Sequence, residues 1–245
     1  MADASMFSSM KGKSLVIVGA SSGIGRAIAV RASDEGALTH LLGRSVERLE
    51  PVRAELASPS HVHAVDMLDE RAVEAAFERI GAFDYLTLTA VADETKLMAP
   101  VRDMSIETAR RGMEKFWGTF NVCQAAARRI RPDGAIVVTS SAGALKPSRS
   151  GASVMNAASA AVTAFSRALA LEIAPVRVNV VSPGVVGSGV WSESEREGLE
   201  SWARSSLPVG RLGTPDDLAR AYLALLVNEY MTGSLVSVDG GLLLT

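Results

Sequence analysis

The sequence predicts an α/β fold, a doubly wound parallel sheet of seven strands with helices on both faces. Short runs rich in Val, Ile and Leu alternate with longer segments of helical period, the pattern of repeated βαβ units. Runs such as Leu15-Val-Ile-Val18 and Ile136-Val-Val138 are apolar throughout, as strands buried on both faces of a parallel sheet must be. The length, 245 residues, suits one large domain, and no repeat, linker or low-complexity tract divides it.

The elements follow in order. A strand at 14–18 leads through a glycine-rich turn into a helix at 23–34. A strand at 38–42 precedes a helix at 46–56, and a strand at 61–65 precedes a helix at 69–79. The fourth strand, 84–89, is followed by one long helix, 104–128. Strand 134–139 leads to helix 152–173, and strand 176–181 to helices at 193–203 and 215–227, before a last strand at 234–238. Right-handed crossovers place helices on both faces and open a crevice where strand order reverses. Residues 1–10 read as a frayed arm.

Composition excludes several classes. Nearly half the residues are hydrophobic and the net charge is −2, which argues against disorder, nucleic-acid steering and a polybasic membrane surface. No apolar run reaches the roughly 18 residues of a spanning helix. The single cysteine, Cys123, excludes an internal disulfide. A soluble, cytoplasmic protein without a metal site is expected.

Gly19-Ala-Ser-Ser-Gly23-Ile-Gly25 sits between the first strand and a helix. Glycine lets the backbone approach a pyrophosphate, and a helix N-terminus offers unpaired N–H groups and partial positive charge. A plain glycine-rich turn is the alternative; the place at the first strand favours a dinucleotide. The second strand ends Leu41-Leu42-Gly43-Arg44-Ser45. A free ribose 2′-hydroxyl calls for a carboxylate here, and Gly43 supplies none. Arg44 and Ser45 offer a guanidinium fork and a hydroxyl suited to a 2′-phosphate, although an arginine at a helix start can also be merely solvated. NADP(H) is therefore expected over NAD(H). Asp66 can accept a hydrogen bond from the adenine amino group or cap the helix that begins near Asp69.

Taken together, these segments resemble the short-chain dehydrogenase/reductase family along nearly the whole chain. Besides the glycine motif, Arg177-Val-Asn-Val-Val-Ser-Pro-Gly184 is similar to the segment entering the nicotinamide loop. Pro208-Val-Gly-Arg-Leu-Gly-Thr-Pro-Asp216 and Val238-Asp-Gly-Gly241 are similar to the family's C-terminal signature. The resemblance implies a Rossmann fold, a nicotinamide cofactor, a small-molecule carbonyl or alcohol substrate, and a homodimer or homotetramer. Candidate cofactor contacts are Gly19, Ser21, Ser22, Gly23, Ile24 and Gly25 in the turn, with Arg44, Ser45, Asp66, Met67 and Ala90 after later strands. Pro183, Gly184, Val186 and Ser188 follow the sixth strand.

Departures fall where the chemistry should be. The segment after the fourth strand is Leu88-Thr-Ala-Val91, where the family has Asn-Asn-Ala-Gly. The family's helix asparagine aligns with Lys115, its tyrosine with Met155 and its lysine with Ser159. Its serine survives as Ser141, or as Ser140 in a register slipped by one. In the family the tyrosine donates the proton and the lysine lowers its pKa; methionine cannot donate one. Loss of general acid catalysis costs roughly 10²–10⁴ in rate unless it is replaced. Lys115 is a replacement candidate: a cation lost at 159 and one gained at 115 keep one positive charge in the site. The alternative is a lysine snorkelling out of a helix surface. The candidate catalytic residues are Ser141, Lys115, Ser159 and Met155, the last as an apolar wall. Lys96 and Lys146 are weaker replacement candidates, with solvated loop charges as the alternative reading. Trp117, Trp191 and Trp202 are candidates to line an apolar pocket. A non-redox isomerase or cyclase with bound NADP, and an inactive cofactor-binding homologue, are the competing functions.

Overall fold

Seven strands form one parallel sheet in the order β3-β2-β1-β4-β5-β6-β7. They are β1 (Ser14–Val18), β2 (Leu38–Gly43), β3 (Ser60–Ala64), β4 (Phe83–Leu88), β5 (Ile130–Thr139), β6 (Arg177–Pro183) and β7 (Leu235–Val238). The computed structural model describes residues 10–90, 97–149, 151–187 and 193–245. Strand order reverses beside β1, which pairs with β2 on one side and β4 on the other. That reversal opens the crevice at the carboxyl ends of the strands. The helices are α1 (Gly23–Asp34), α2 (Val46–Glu55), α3 (Glu70–Ile80), α4 (Ile106–Gly112), α5 (Glu114–Ala127), α6 (Ser153–Glu172), α7 (Glu193–Ser206) and α8 (Pro215–Val227).

Alternation along each strand divides the core. Val16, Val18, Leu86, Leu88 and Val138 pack with Phe77, Val122 and Val162 from α3, α5 and α6. Leu15, Ile17, Leu41, Val137 and Val181 pack with Ile28 of α1 and Tyr222 of α8 on the other face. Both faces are apolar, which accounts for the unbroken hydrophobic runs. Polar residues at the start of β6 tie these layers together. Buried Arg177 donates to the carbonyls of Leu225 and Asn228 at 2.9 and 2.8 Å, closing the end of α8. Asn179 donates to Met231 O at 2.7 Å and accepts from Ser234 N at 3.1 Å, which fixes the entry to β7. Thr214 and Asp217 form a capping box at the start of α8.

Three expectations are corrected. The helix expected at 104–128 is two, α4 and α5, meeting at Met113. Gly112 is buried there, and a Cβ on it would stand 2.7 Å from Val154 Cγ1 of α6. The packing with α6 sets that junction. Met10, assigned to the arm, is fully buried with Leu15 and Leu49; residues 1–9 lie outside the described residues. Finally, α6 does meet the length and composition of a membrane span, with a mean hydropathy of 1.3. Its Val162, Ser166 and Leu169 are nevertheless buried, and Val162 and Leu169 belong to the core beneath the sheet.

The chain's three histidines meet across β2 and β3, where His40 Nδ1 lies 3.2 Å from His63 Nε2. Burial, and then His63 and His61, push the His40 imidazole down to about 4. Burial, Arg79 and His61 also lower His63. The unfolded chain therefore takes up protons first, and this stability is complete above about pH 6.5 and lost as pH falls towards 4. His40 alone contributes at most about 3 kcal/mol to that loss, reduced by whatever solvent reaches the ring. Denaturant titrations from pH 7.5 to 4.5 should show a shallower stability slope in His40→Gln than in the wild type; equal slopes contradict this.

Candidate cofactor and active site

The turn after β1 is shaped by close approach. Gly19 has φ +92°, and a Cβ there would lie 2.6 Å from Ala90 N. Gly25 has no room either: a Cβ would meet Gly19 O at 2.2 Å and Thr89 Oγ1 at 2.7 Å. The two glycines let the chain fold back at the carboxyl end of β1 and β4 and set α1 directly behind the turn. Ser22 is the N-cap of α1 but makes no side-chain cap hydrogen bond, so the first-turn N–H groups have no such partner. Oriented N–H donors and the positive end of the α1 dipole suit a pyrophosphate. The residues present fit a dinucleotide.

Arg44 is exposed and makes no ion pair among the described residues. Ser45 caps α2 by accepting from Arg48 N at 3.3 Å and donates to Glu47 Oε2 at 2.6 Å. That hydroxyl must leave Glu47 to donate to a phosphate. Asp66 Oδ1 accepts from Leu68 N at 3.0 Å, while Asp69 caps α3 through Ala72 N. The capping alternative for Asp66 therefore falls to its neighbour. Met67 packs its side chain over Gly118, whose missing Cβ would lie 2.6 Å from Met67 Cγ. Ala90 N donates to Val18 O at 3.1 Å, holding it beside the glycine turn. Gly184 lies against Asp239, and Val186 bridges Gly213. Ser188, Trp191 and Lys96 lie outside the described residues.

Lys115 comes from the first turn of α5 and is only 7% exposed. Its amine donates to Ser140 O at 3.0 Å and to Ser159 Oγ at 3.1 Å. Lys115 and Ser159 are thus brought together at the end of β5, and the surface-snorkelling alternative does not describe this side chain. Ser140 braces the arrangement. Its hydroxyl donates to Ser159 O at 3.0 Å and accepts from Thr163 Oγ1 at 2.9 Å. Sequence reading named Ser140 only as a register alternative and missed Thr163, whose signal was its place one turn beyond Ser159 on the same helix face.

Ser141 stands apart from that network and accepts from Gly143 N at 3.2 Å. Met155 is half-buried on α6, and neighbouring Asn156 lies against Gly143, where a Cβ would meet its Oδ1 at 2.4 Å. Lys146 is not a solvated loop charge, since its amine donates to Leu242 O at 2.9 Å and Thr245 Oγ1 at 3.2 Å. Trp117 is 55% exposed, whereas Trp202 packs against the small cluster of Ala203, Leu207 and Leu212. These two tryptophans do not line one pocket. The tyrosines lie elsewhere: Tyr85 in β4, Tyr230 fully exposed, and Tyr222 in the core with its hydroxyl against Thr139 Oγ1. Burial raises the Tyr222 pKa.

A parallel sheet with this strand order and a glycine turn at its switch point defines a dinucleotide-binding protein of Rossmann type. The chain belongs to the short-chain dehydrogenase/reductase family. The family described as enoyl-(acyl carrier protein) reductase matches residues 19–243. A 3-oxoacyl-[acyl-carrier-protein] reductase of Bos taurus is 32% identical over 241 residues, covering 95% of this chain and 99% of the relative. Among solved structures, the MalC reductase/Diels-Alderase from Malbranchea aurantiaca superposes with a TM-score of 0.88 at 25% identity, covering 98% of this chain and 99% of that one. L-sorbose reductase from Gluconobacter frateurii, complexed with NADPH and L-sorbose, gives 0.86 at 28% identity, covering 96% and 98%.

Proposed function

We propose that the protein is an NADP(H)-dependent oxidoreductase acting on a small carbonyl or alcohol, with Lys115 handling the proton that a tyrosine handles elsewhere in the family. The observation that carries this reading is the Lys115 amine held 3.1 Å from Ser159 Oγ at the end of β5. When bound, the nicotinamide supplies the hydride. The residues of the chain then position the carbonyl and move a proton. A protonated Lys115 amine donates to the developing alkoxide oxygen, directly or through Ser159 Oγ. Ser141, next to Ser140, supplies a second hydroxyl for the substrate. Met155 gives an apolar wall that excludes water. Single-turnover mixing of protein and NADPH with a panel of ketones tests the reading: loss of nicotinamide absorbance with matching alcohol supports it, and no loss across the panel overturns it.

Cofactor preference is part of the same proposal. Arg44 faces solvent without an ion pair among the described residues and can take a 2′-phosphate bidentately. NADPH should bind about tenfold or more tighter than NADH, and Arg44→Ala should remove most of that difference. Calorimetric titration decides, and equal wild-type affinities contradict the preference.

The resemblance also supports a homodimer or homotetramer, and the exposed Trp117 of α5 and Leu171 of α6, 55% and 83% accessible, are apolar side chains an interface can bury. Light scattering should give a multiple of 25.7 kDa at micromolar concentration. A cytoplasmic location completes the reading, supported by the lone, buried Cys123 thiol.

A second reading, a non-redox cyclase or isomerase that keeps NADP as a fixed charge, is favoured by Met155 and Ser159 and by the likeness to a structure described as both reductase and Diels-Alderase. Product formation without NADPH consumption distinguishes it.

A further inference from the structure

All three histidines of the chain lie beside a groove of about 700 Å³ that also involves Arg79 of α3, Asp84 of β4 and Arg131 of β5. Gly12, Ser14 and Leu38, at the amino ends of β1 and β2, share its wall. The groove therefore opens at the sheet edge opposite the glycine turn. Strand alternation sets His61 and His63 on one face of β3, and the register of β2 on β3 brings His40 beside His61. His40 is 7% exposed and stacks on His61 with ring centroids 5.3 Å apart.

The charges in and beside the groove come from α3, β4, β5 and Lys13 just before β1. Asp84 accepts from Ser14 N at 2.8 Å, Lys13 Nζ at 3.3 Å and Arg131 Nη1 at 3.0 Å, so its carboxylate is committed. Lys13 also reaches Asp133 at 3.2 Å. Arg79 makes no ion pair among the described residues. Lys13, Arg79 and Arg131 set against Asp84 and Asp133 leave one positive charge in surplus before any imidazole is charged.

We propose that this groove is a second ligand site, taking a phosphate-class oxyanion between Arg79, Arg131 and the imidazole cluster, with anion binding coupled to proton uptake by the histidines. His40 Nδ1 and His63 Nε2 lie 3.2 Å apart, so one proton lies between them and a second brings like charges into contact. An oxyanion at the groove offsets that repulsion and accepts from both rings and both guanidiniums. In the free protein burial holds the His40 and His63 imidazoles low, and a bound anion must raise them by linkage. The site lies away from the proposed cofactor crevice and does not rest on the oxidoreductase reading.

With only three histidines, proton NMR of the imidazole C2–H signals reads the groove directly. Sulfate is the probe, because its charge stays constant between pH 5 and 8. In sulfate, relative to chloride at equal ionic strength, the His40 and His63 titration midpoints should rise by about 0.5 unit or more, roughly threefold in proton affinity. Arg79→Gln, at an exposed position, should remove the shift, whereas Arg44→Ala, which alters the proposed cofactor phosphate site, should keep it. Midpoints unchanged by sulfate overturn the proposal, as does a shift that survives Arg79→Gln. A parallel titration with inorganic phosphate and with AMP separates a free anion from one carried on a nucleotide.

Discussion

Lys115→Met should reduce turnover by roughly 10²–10⁴, the usual value of a positioned general acid, while leaving NADPH affinity within about 1–2 kcal/mol. The expectation rests on where the amine is. It is 7% exposed and bonds the backbone carbonyl of Ser140, just after β5, and a hydroxyl of α6. Methionine has similar length and no donor, so it fills the space and removes the proton. Ser159 Oγ and Ser140 O lose a charged donor, which costs about 1.5–3 kcal/mol of stability and is visible as a lower melting temperature. Rapid-mixing kinetics and cofactor titration on the same folded preparation separate the effects. Full turnover in the variant, once a substrate is in hand, removes Lys115 from the chemistry and leaves Ser141 with a water relay in its place.

Gly25→Val should abolish cofactor binding and destabilise the fold by about 3 kcal/mol or more. Even a single Cβ would stand 2.2 Å from Gly19 O and 2.7 Å from Thr89 Oγ1, two groups that cannot both retreat. Thr89 Oγ1 is itself tied to Val18 O at 3.0 Å, and Gly19 N to Leu42 O at 2.9 Å. The clash therefore spreads into the ends of β1, β2 and β4 at the switch point. Gly81→Ala is the control: its φ of +72° carries backbone strain, but its Cβ meets nothing within 4 Å. It should cost about 1 kcal/mol and leave NADPH binding intact. Calorimetry of Gly25→Val with near-wild-type affinity contradicts the role given to the turn.

What could be read from the sequence was mainly local. Apolar runs bounded by turns located most strands, because a parallel sheet covered on both faces needs largely apolar strands, while the edge strand β3, Ser-His-Val-His-Ala, is half-exposed. The glycine turn was legible because its spacing lies within seven residues, although the backbone and side chain that exclude its Cβ atoms, Ala90 and Thr89, come from just after β4. The helix break at Met113 was not, since it lies where Gly112 meets Val154 some forty residues on. β5 begins earlier than expected, at Ile130, because the register against β4 shifts between Phe83 and Tyr85 and admits the Arg131-Pro-Asp segment. The histidine cluster likewise needs the register of β2 on β3, which no local pattern specifies. Trp117 lies on the outer side of α5, a matter of helix phase that its apolar neighbours obscured. The inward course of Lys115 was legible only through comparison with a family pattern, as the loss of one cation and the gain of another.

Ser140 has a wider consequence. Its carbonyl takes the Lys115 amine, its hydroxyl holds the α6 backbone at Ser159, and Thr163 steadies that hydroxyl from the next turn. Strand end, amine and helix therefore form one rigid assembly whose parts cannot be repositioned singly. Segments 97–103 and 207–213 contribute to none of these bonds. Substitutions that spare these bonds can therefore leave the Lys115 amine where it is, whereas moving it requires dismantling Ser140.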